Sequence, residues 1–296
     1  MKLKHILILS TSLILNVILI REIITYQPDI YKYRHYHKYK MMGWFDKGLA
    51  FNEPKSDSIA YILTIGQANA GNTSNWLDTA GAGVFSYYKG ELYPAIDPMV
   101  GSNGYGGSVW PAVGDSLIKE KRFKKVIFIP IAVGSTNIQD WANGPCNALL
   151  KNTLEELKSK NVKLTHILWH QGESNNGTPK DEYKKNLEKI LTDIRENGQS
   201  APFYCSIASF TPLSKKFASG IDPSVQQAQI EFVNEHAGVL LGPNTDLLNM
   251  AMDRYDAIHF SRSGKLKYIN QWLECLKNEA EFSNQESPSS KQSLVL

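Results

Sequence analysis

From residue 59 onward the chain alternates short apolar runs of strand length with longer runs in which apolar positions recur at helical spacing. That alternation predicts βαβ units and a mainly parallel sheet. Strands are expected over residues 59–65, 125–133, 164–170, 203–209 and 239–242, and helices over 110–121, 146–160, 181–197, 224–236 and 263–278. Within 183–194, Tyr183, Leu187, Ile190, Leu191 and Ile194 fall on one helical face, while Lys184, Lys185, Glu188 and Asp193 fall elsewhere. The expected fold is a three-layer α/β/α sandwich around a five-stranded, mainly parallel sheet. Between the first strand and the first crossover helix lies a long glycine-rich loop, residues 72–109, expected to wall a pocket. No Gly-Lys-Ser/Thr follows it, which excludes a P-loop, and its glycines stand too far from the strand for a dinucleotide fingerprint.

The first forty residues read differently. Residues 6–20 are apolar apart from Ser10, Thr11, Ser12 and Asn16, follow Lys2 and Lys4, and precede no small-x-small cleavage site. Residues 1–25 are therefore expected to be a membrane anchor or uncleaved signal, although the run is short for a span. Arg21, Lys32, Arg34, Lys38 and Lys40 follow the run and argue for a cytoplasmic body. The export-signal shape argues for an extracytoplasmic one, which is the expectation taken here. Residues 26–50 form a basic-aromatic linker, with Tyr31 to Lys40 suited either to anionic headgroups or to solvent. His35 and His37 lie within it, and without further ligands they do not make a metal site. The α/β domain is expected over 51–278, and the polar stretch 279–296 reads as a disordered tail.

A net charge of +3, with much of the basic character confined to that linker, gives no broad cationic face for nucleic acid. Three cysteines are too few for a disulfide framework, and their odd number leaves at least one free thiol. His166 and His170 lie on a strand rather than at His-Glu-x-x-His helical spacing, so metal catalysis has little support, and no cofactor is expected.

Four short polar segments fall where the predicted strands end, the edge at which open α/β sheets collect ligands. The first is Gly66-Gln67-Ala68-Asn69, where the amides of Gln67 and Asn69 are candidate ligand donors and Ala68 stands where a nucleophile would. After the second strand comes Gly134-Ser135-Thr136, a glycine able to bring a backbone N–H close to a ligand. The third segment, His170-Gln171-Gly172-Glu173-Ser174, offers the Gln171 amide and the Glu173 carboxylate. Asp256-Ala257-Ile258-His259 precedes the last helix at a spacing that sets a carboxylate on one imidazole nitrogen and leaves the other for the pocket.

In these four motifs, and in Gly106-Gly107-Ser108-Val109-Trp110-Pro111, the sequence over residues 59–276 resembles the SGNH hydrolases, and among them the sialate O-acetylesterase-like carbohydrate esterases. The resemblance implies a flavodoxin-like sandwich, Gly134 and Gln171 as oxyanion donors, His259 as base, Asp256 as its orienter, and an O-acetylated glycan as partner. It departs at Ala68, which takes the place of the family's catalytic serine. Three readings follow. The serine was exchanged for alanine in a working esterase; or the alanine is native and the protein is a carbohydrate-binding pseudoenzyme or an idle membrane-tethered module; or water, Ser135, Ser174 or Ser108 replaces the missing hydroxyl.

Overall fold

The computed structural model describes residues 48–51, 56–212 and 214–277. The expected anchor, most of the expected linker and the expected tail lie outside the described residues. Eight strands form one sheet: β1 (Leu49–Ala50), β2 (Ile59–Gly66), β3 (Val84–Tyr88), β4 (Glu91–Pro94), β5 (Lys125–Pro130), β6 (His166–His170), β7 (Phe203–Ile207) and β8 (Val239–Asn244). Their order is β1-β4-β3-β5-β2-β6-β7-β8. Pairing is parallel from β3 through β8 and antiparallel only for β3 with β4 and β1 with β4. The helices are α1 (Trp110–Lys119), α2 (Ile138–Ala142), α3 (Pro145–Ser159), α4 (Lys180–Glu196), α5 (Pro223–Glu235) and α6 (Arg262–Lys277).

The five expected strands are all present, and the sheet corrects the count. β3 and β4 form a hairpin inside the segment expected to be loop, and Lys89 and Gly90 supply the positive φ angles of its turn, 48° and 80°. β1 extends the sheet beyond that hairpin, so pairing begins slightly ahead of residue 51.

Strand β2 shows why its sequence is an unbroken apolar run: every residue is buried, because helices cover both faces. Ile59, Tyr61, Leu63 and Ile65 join the larger core under α2, α3, α4 and α5, with Trp141, Leu150, Leu187 and Phe232. Ala60 and Ile62 join the smaller one under α1 and α6, with Trp110, Phe128, Tyr268 and Trp272. Ile62, Leu63 and Ile65 are fully buried, each worth roughly 1.5–3 kcal/mol against exposure. Helix starts are locally encoded: Pro145 occupies the first turn of α3, and Asp222 caps α5 by accepting from Ser224 N–H at 2.9 Å.

The long segment between β2 and α1 is tied to α6 by one buried cation. Lys265 Nζ reaches Asp78 Oδ2 at 2.8 Å, Asp97 Oδ2 at 3.2 Å and the Trp76 carbonyl at 2.9 Å. Asp97 also accepts from Ser108 Oγ at 2.8 Å and from Asp78 N–H at 3.0 Å. Burial pushes the Asp97 carboxyl up to about 6, although Lys265 pulls it down. Cys146 and Cys205 are buried, Cys275 is partly so, and none forms a disulfide.

Candidate active site

β2 is flanked by β5 on one side and β6 on the other, so the crevice at its carboxyl end is the switch point of the sheet. The chain leaves β2 through Gly66, whose φ is 138° and where a Cβ would lie 2.0 Å from the His170 carbonyl oxygen. Only glycine permits that approach. A single 3-10 turn, Ala68–Ala70, follows directly, with Ala68 buried at its start. The Ala68 N–H has no bonding partner among the described residues.

The Asp256–His259 pair closes as its spacing predicts. His259 Nδ1 lies 2.6 Å from Asp256 Oδ2, while Asp256 Oδ1 accepts from the N–H groups of Ile258 at 3.0 Å and His259 at 2.7 Å. Because a carboxylate only accepts, Nδ1 carries the proton and Nε2 is left with its lone pair, the arrangement a general base requires. Burial acts upward on Asp256, but the His259 side chain and these two N–H groups hold its carboxyl below the usual range. Tyr255 stacks on the His259 ring at 6.2 Å.

Asn69 connects the two halves. Its Nδ2 donates to Glu173 Oε1 at 2.9 Å and to the Ile258 carbonyl at 3.3 Å, fixing the turn of Ala68 against the loop of His259. Buried Arg254 holds the same loop from beneath, donating from Nη1 to Ile258 O, from Nε to Leu248 O at 2.8 Å and from Nη2 to Thr245 O at 3.0 Å. No motif singled it out in the sequence. Burial pushes the imidazole of His170, fully buried beside Glu173, below its usual value, although the Glu173 carboxylate acts the other way.

Several expected ligand contacts turn out to be internal. Gln171 is fully buried and donates to Thr136 O at 3.2 Å, Gln67 Oε1 at 3.1 Å and Asn175 Oδ1 at 2.6 Å, so its amide braces the loop instead of facing an oxyanion. The Gly134 N–H donates to Asn103 Oδ1 at 2.8 Å and is likewise engaged. Asn69 uses both amide protons within the protein, and Glu173 supports Asn69. Gln67 Oε1 accepts from Gly172 and Ser174 N–H as well as from Gln171, while its Nε2 has no partner among the described residues. Ser108 is buried and donates to Asp97, which removes it as a substitute nucleophile. Ser135 and Ser174 are exposed, Ser135 with a φ of 60°.

A shallow depression lies between the Ala68 turn and the long segment, lined by Asn69, Thr73, Ser74, Ser108, Phe260 and Lys265 among others. A roomier groove between β3, β5 and α3 contains none of the site residues.

Residues 97–270 match the family described as carbohydrate esterase, sialic acid-specific acetylesterase. The chain belongs to this family. The matched span includes Gly134, Gln171, Asp256 and His259 and begins after the Ala68 turn. Solved structures agree on the fold. A protein from Arabidopsis thaliana superposes with a TM-score of 0.60 at 16% identity, covering 75% of this chain and 99% of its own. NanS gives 0.56 at 13%, covering 78% and 99%. A carbohydrate acetylesterase from Xanthomonas citri gives 0.52 at 13%, covering 75% of this chain and 57% of its own. No curated protein matches the sequence.

Proposed function

We propose that this member of the carbohydrate acetylesterase family recognises O-acetylated glycans through a site whose ester chemistry is silent at one atom, the missing hydroxyl of residue 68. The observation that carries the reading is the 2.6 Å contact between His259 Nδ1 and Asp256 Oδ2, on a loop that Asn69 ties to the Ala68 turn. A base is oriented and tethered beside the nucleophile position, and only the group it would deprotonate is absent. Half-exposed Tyr255, stacked on the His259 ring, offers its outer face to the apolar face of a sugar ring. The amino-terminal segment is proposed to tether the domain to a membrane with its body extracytoplasmic, where surface glycans lie.

In this reading the protein binds an acetylated sugar without turnover. Acetate release from aryl acetates and O-acetylated sugars should match a His259→Ala control. Ala68→Ser adds one oxygen on an unchanged backbone and should generate release that His259→Ala abolishes. Silence of a folded Ala68→Ser protein across several O-acetylated glycans would refute the esterase ancestry of the site. Clear turnover by the unmodified protein would refute the role given to position 68.

A further inference from the structure

The site needs donors for an acyl oxygen, and both of the expected ones are engaged elsewhere. Asn103, in the glycine-rich segment before α1, supplies what they do not. Its backbone is held on two sides, with its N–H donating to Ala132 O at 3.0 Å and its carbonyl accepting from Asn72 N–H at 3.1 Å. Its side-chain oxygen accepts from Gly134 N–H at 2.8 Å. Since an N–H donates only to an acceptor, that bond fixes which end of the amide is which and turns Nδ2 the other way. Nδ2 has no partner among the described residues. A Cβ placed on Gly134 would lie 3.5 Å from Asn103 Oδ1, 3.6 Å from its Nδ2 and 3.6 Å from the Ala68 methyl, so the amide and the nucleophile position border the same small space.

Resting on the esterase reading of this site, we propose that Asn103 Nδ2 and the Ala68 N–H form the oxyanion hole, and that Gly134 serves by orienting Asn103. In the Ala68→Ser protein the attacking hydroxyl gives its proton to His259 Nε2 as its oxygen bonds to the acyl carbon, the carbonyl π pair moves onto the acyl oxygen, and these two donors receive the charge. When the pair returns, the C–O bond to the sugar breaks and the leaving alkoxide takes the proton held on His259. Donation from Gly134 polarises the amide and makes Nδ2–H the stronger donor. Because both donors are anchored by backbone hydrogen bonds or a helical turn, they require no rearrangement when charge develops. In the unmodified chain the same donors would bind the oxygen of acetate or of an intact acetyl group.

Two measurements test the assignment. The full unmodified chain, labelled with 15N-asparagine, is titrated with sodium acetate against sodium chloride at matched ionic strength. The Asn103 side-chain signals, assigned by their loss in Asn103→Asp, should move saturably, and Asn103→Ala should weaken acetate binding at least tenfold. In the Ala68→Ser background, Asn103→Asp keeps an acceptor for Gly134 but has no N–H to give. It should lower kcat by about 10²–10³-fold with KM nearly unchanged, the loss expected for one oxyanion donor. A kcat that is unchanged or raised by Asn103→Asp and Asn103→Ala overturns the proposal, as does acetate that leaves the Asn103 signals in place up to 100-millimolar concentrations (roughly the range in which a weak anion site of ~1 kcal/mol per hydrogen bond saturates). If Ala68→Ser releases no acetate, the proposed function fails on its own test and the titration alone judges Asn103.

Discussion

Replacing Lys265 with methionine keeps most of the stem volume but removes the cation from Asp97, Asp78 and the Trp76 carbonyl. The cost is set by what Asp97 then does. With its carboxyl at about 6 in the intact protein, Asp97 is mostly protonated at pH 5 and mostly ionised at pH 8. Without Lys265 its folded-state value rises further, so above about pH 6 the folded variant binds up to one more proton than the folded parent, while the unfolded chains do not differ. A group whose folded value is raised contributes stability below its unfolded value and loses it as pH rises through the folded one. The variant's deficit should therefore widen with pH, at up to about 1.4 kcal/mol per unit well above pH 6, or roughly 2 kcal/mol between pH 6 and 8, because the parent is still half-protonated at pH 6. This lies below the roughly 3–5 kcal/mol seen when one partner of a buried pair is deleted, because protonation lets Asp97 shed its charge. For a domain of this size the widening corresponds to an additional Tm loss of about 4–8 °C on going from pH 6 to pH 8. Urea unfolding of parent and Lys265→Met at pH 5, 6, 7 and 8 measures it, and the double variant with Asp97→Asn should recover most of the loss and be flat with pH. A Lys265→Met deficit that is itself independent of pH would refute the reasoning.

Glu173→Gln retains an oxygen for Asn69 Nδ2 and should change urea stability by less than about 1 kcal/mol, whereas Glu173→Ala strands that amide and should cost about 1–3 kcal/mol; equal losses would argue against the Asn69 contact. Gly172→Ala places a Cβ 1.7 Å from the Ala208 carbonyl oxygen at a φ of 154°, and should yield little soluble protein; normal expression with an unchanged melt would contradict that geometry. Removing residues 1–45 spares the β1–β4 pairing and should leave a folded, detergent-free monomer by size-exclusion chromatography and circular dichroism, while the full chain should sediment with membranes.

The sheet was readable because strands buried on both faces must be apolar throughout, as in β2, and because helices such as α4 must present one apolar face to it. The β3–β4 hairpin escaped notice inside a glycine-rich segment, although Val84, Phe85, Tyr87, Tyr88 and Tyr93 are strand-favouring residues flanking Lys89-Gly90, a two-residue turn that could have revealed it. Asp256 and His259 were legible because their contact is local, three residues along one turn. The status of Gln171, Gly134 and Asn69 was not, because what engages each comes from far along the chain: Gln67 lies 104 residues from Gln171, and Ile258 lies 189 from Asn69. Asn103 carries no motif, and only folding brings its amide to Gly134.

The central place of β2 has a consequence for how the chain is made. Its neighbours, β5 and β6, are completed only at Pro130 and His170, so an eight-residue apolar strand ending at Gly66 leaves the ribosome long before either edge can be covered. At about 5–20 residues per second, the interval to the end of β6 is roughly 5–20 s. During it the strand has the composition of a cross-β seed, β-rich and uncharged with no proline. Nascent chains stopped between β2 and β6 should therefore aggregate or bind chaperones, and chains stopped after β6 should be released from them.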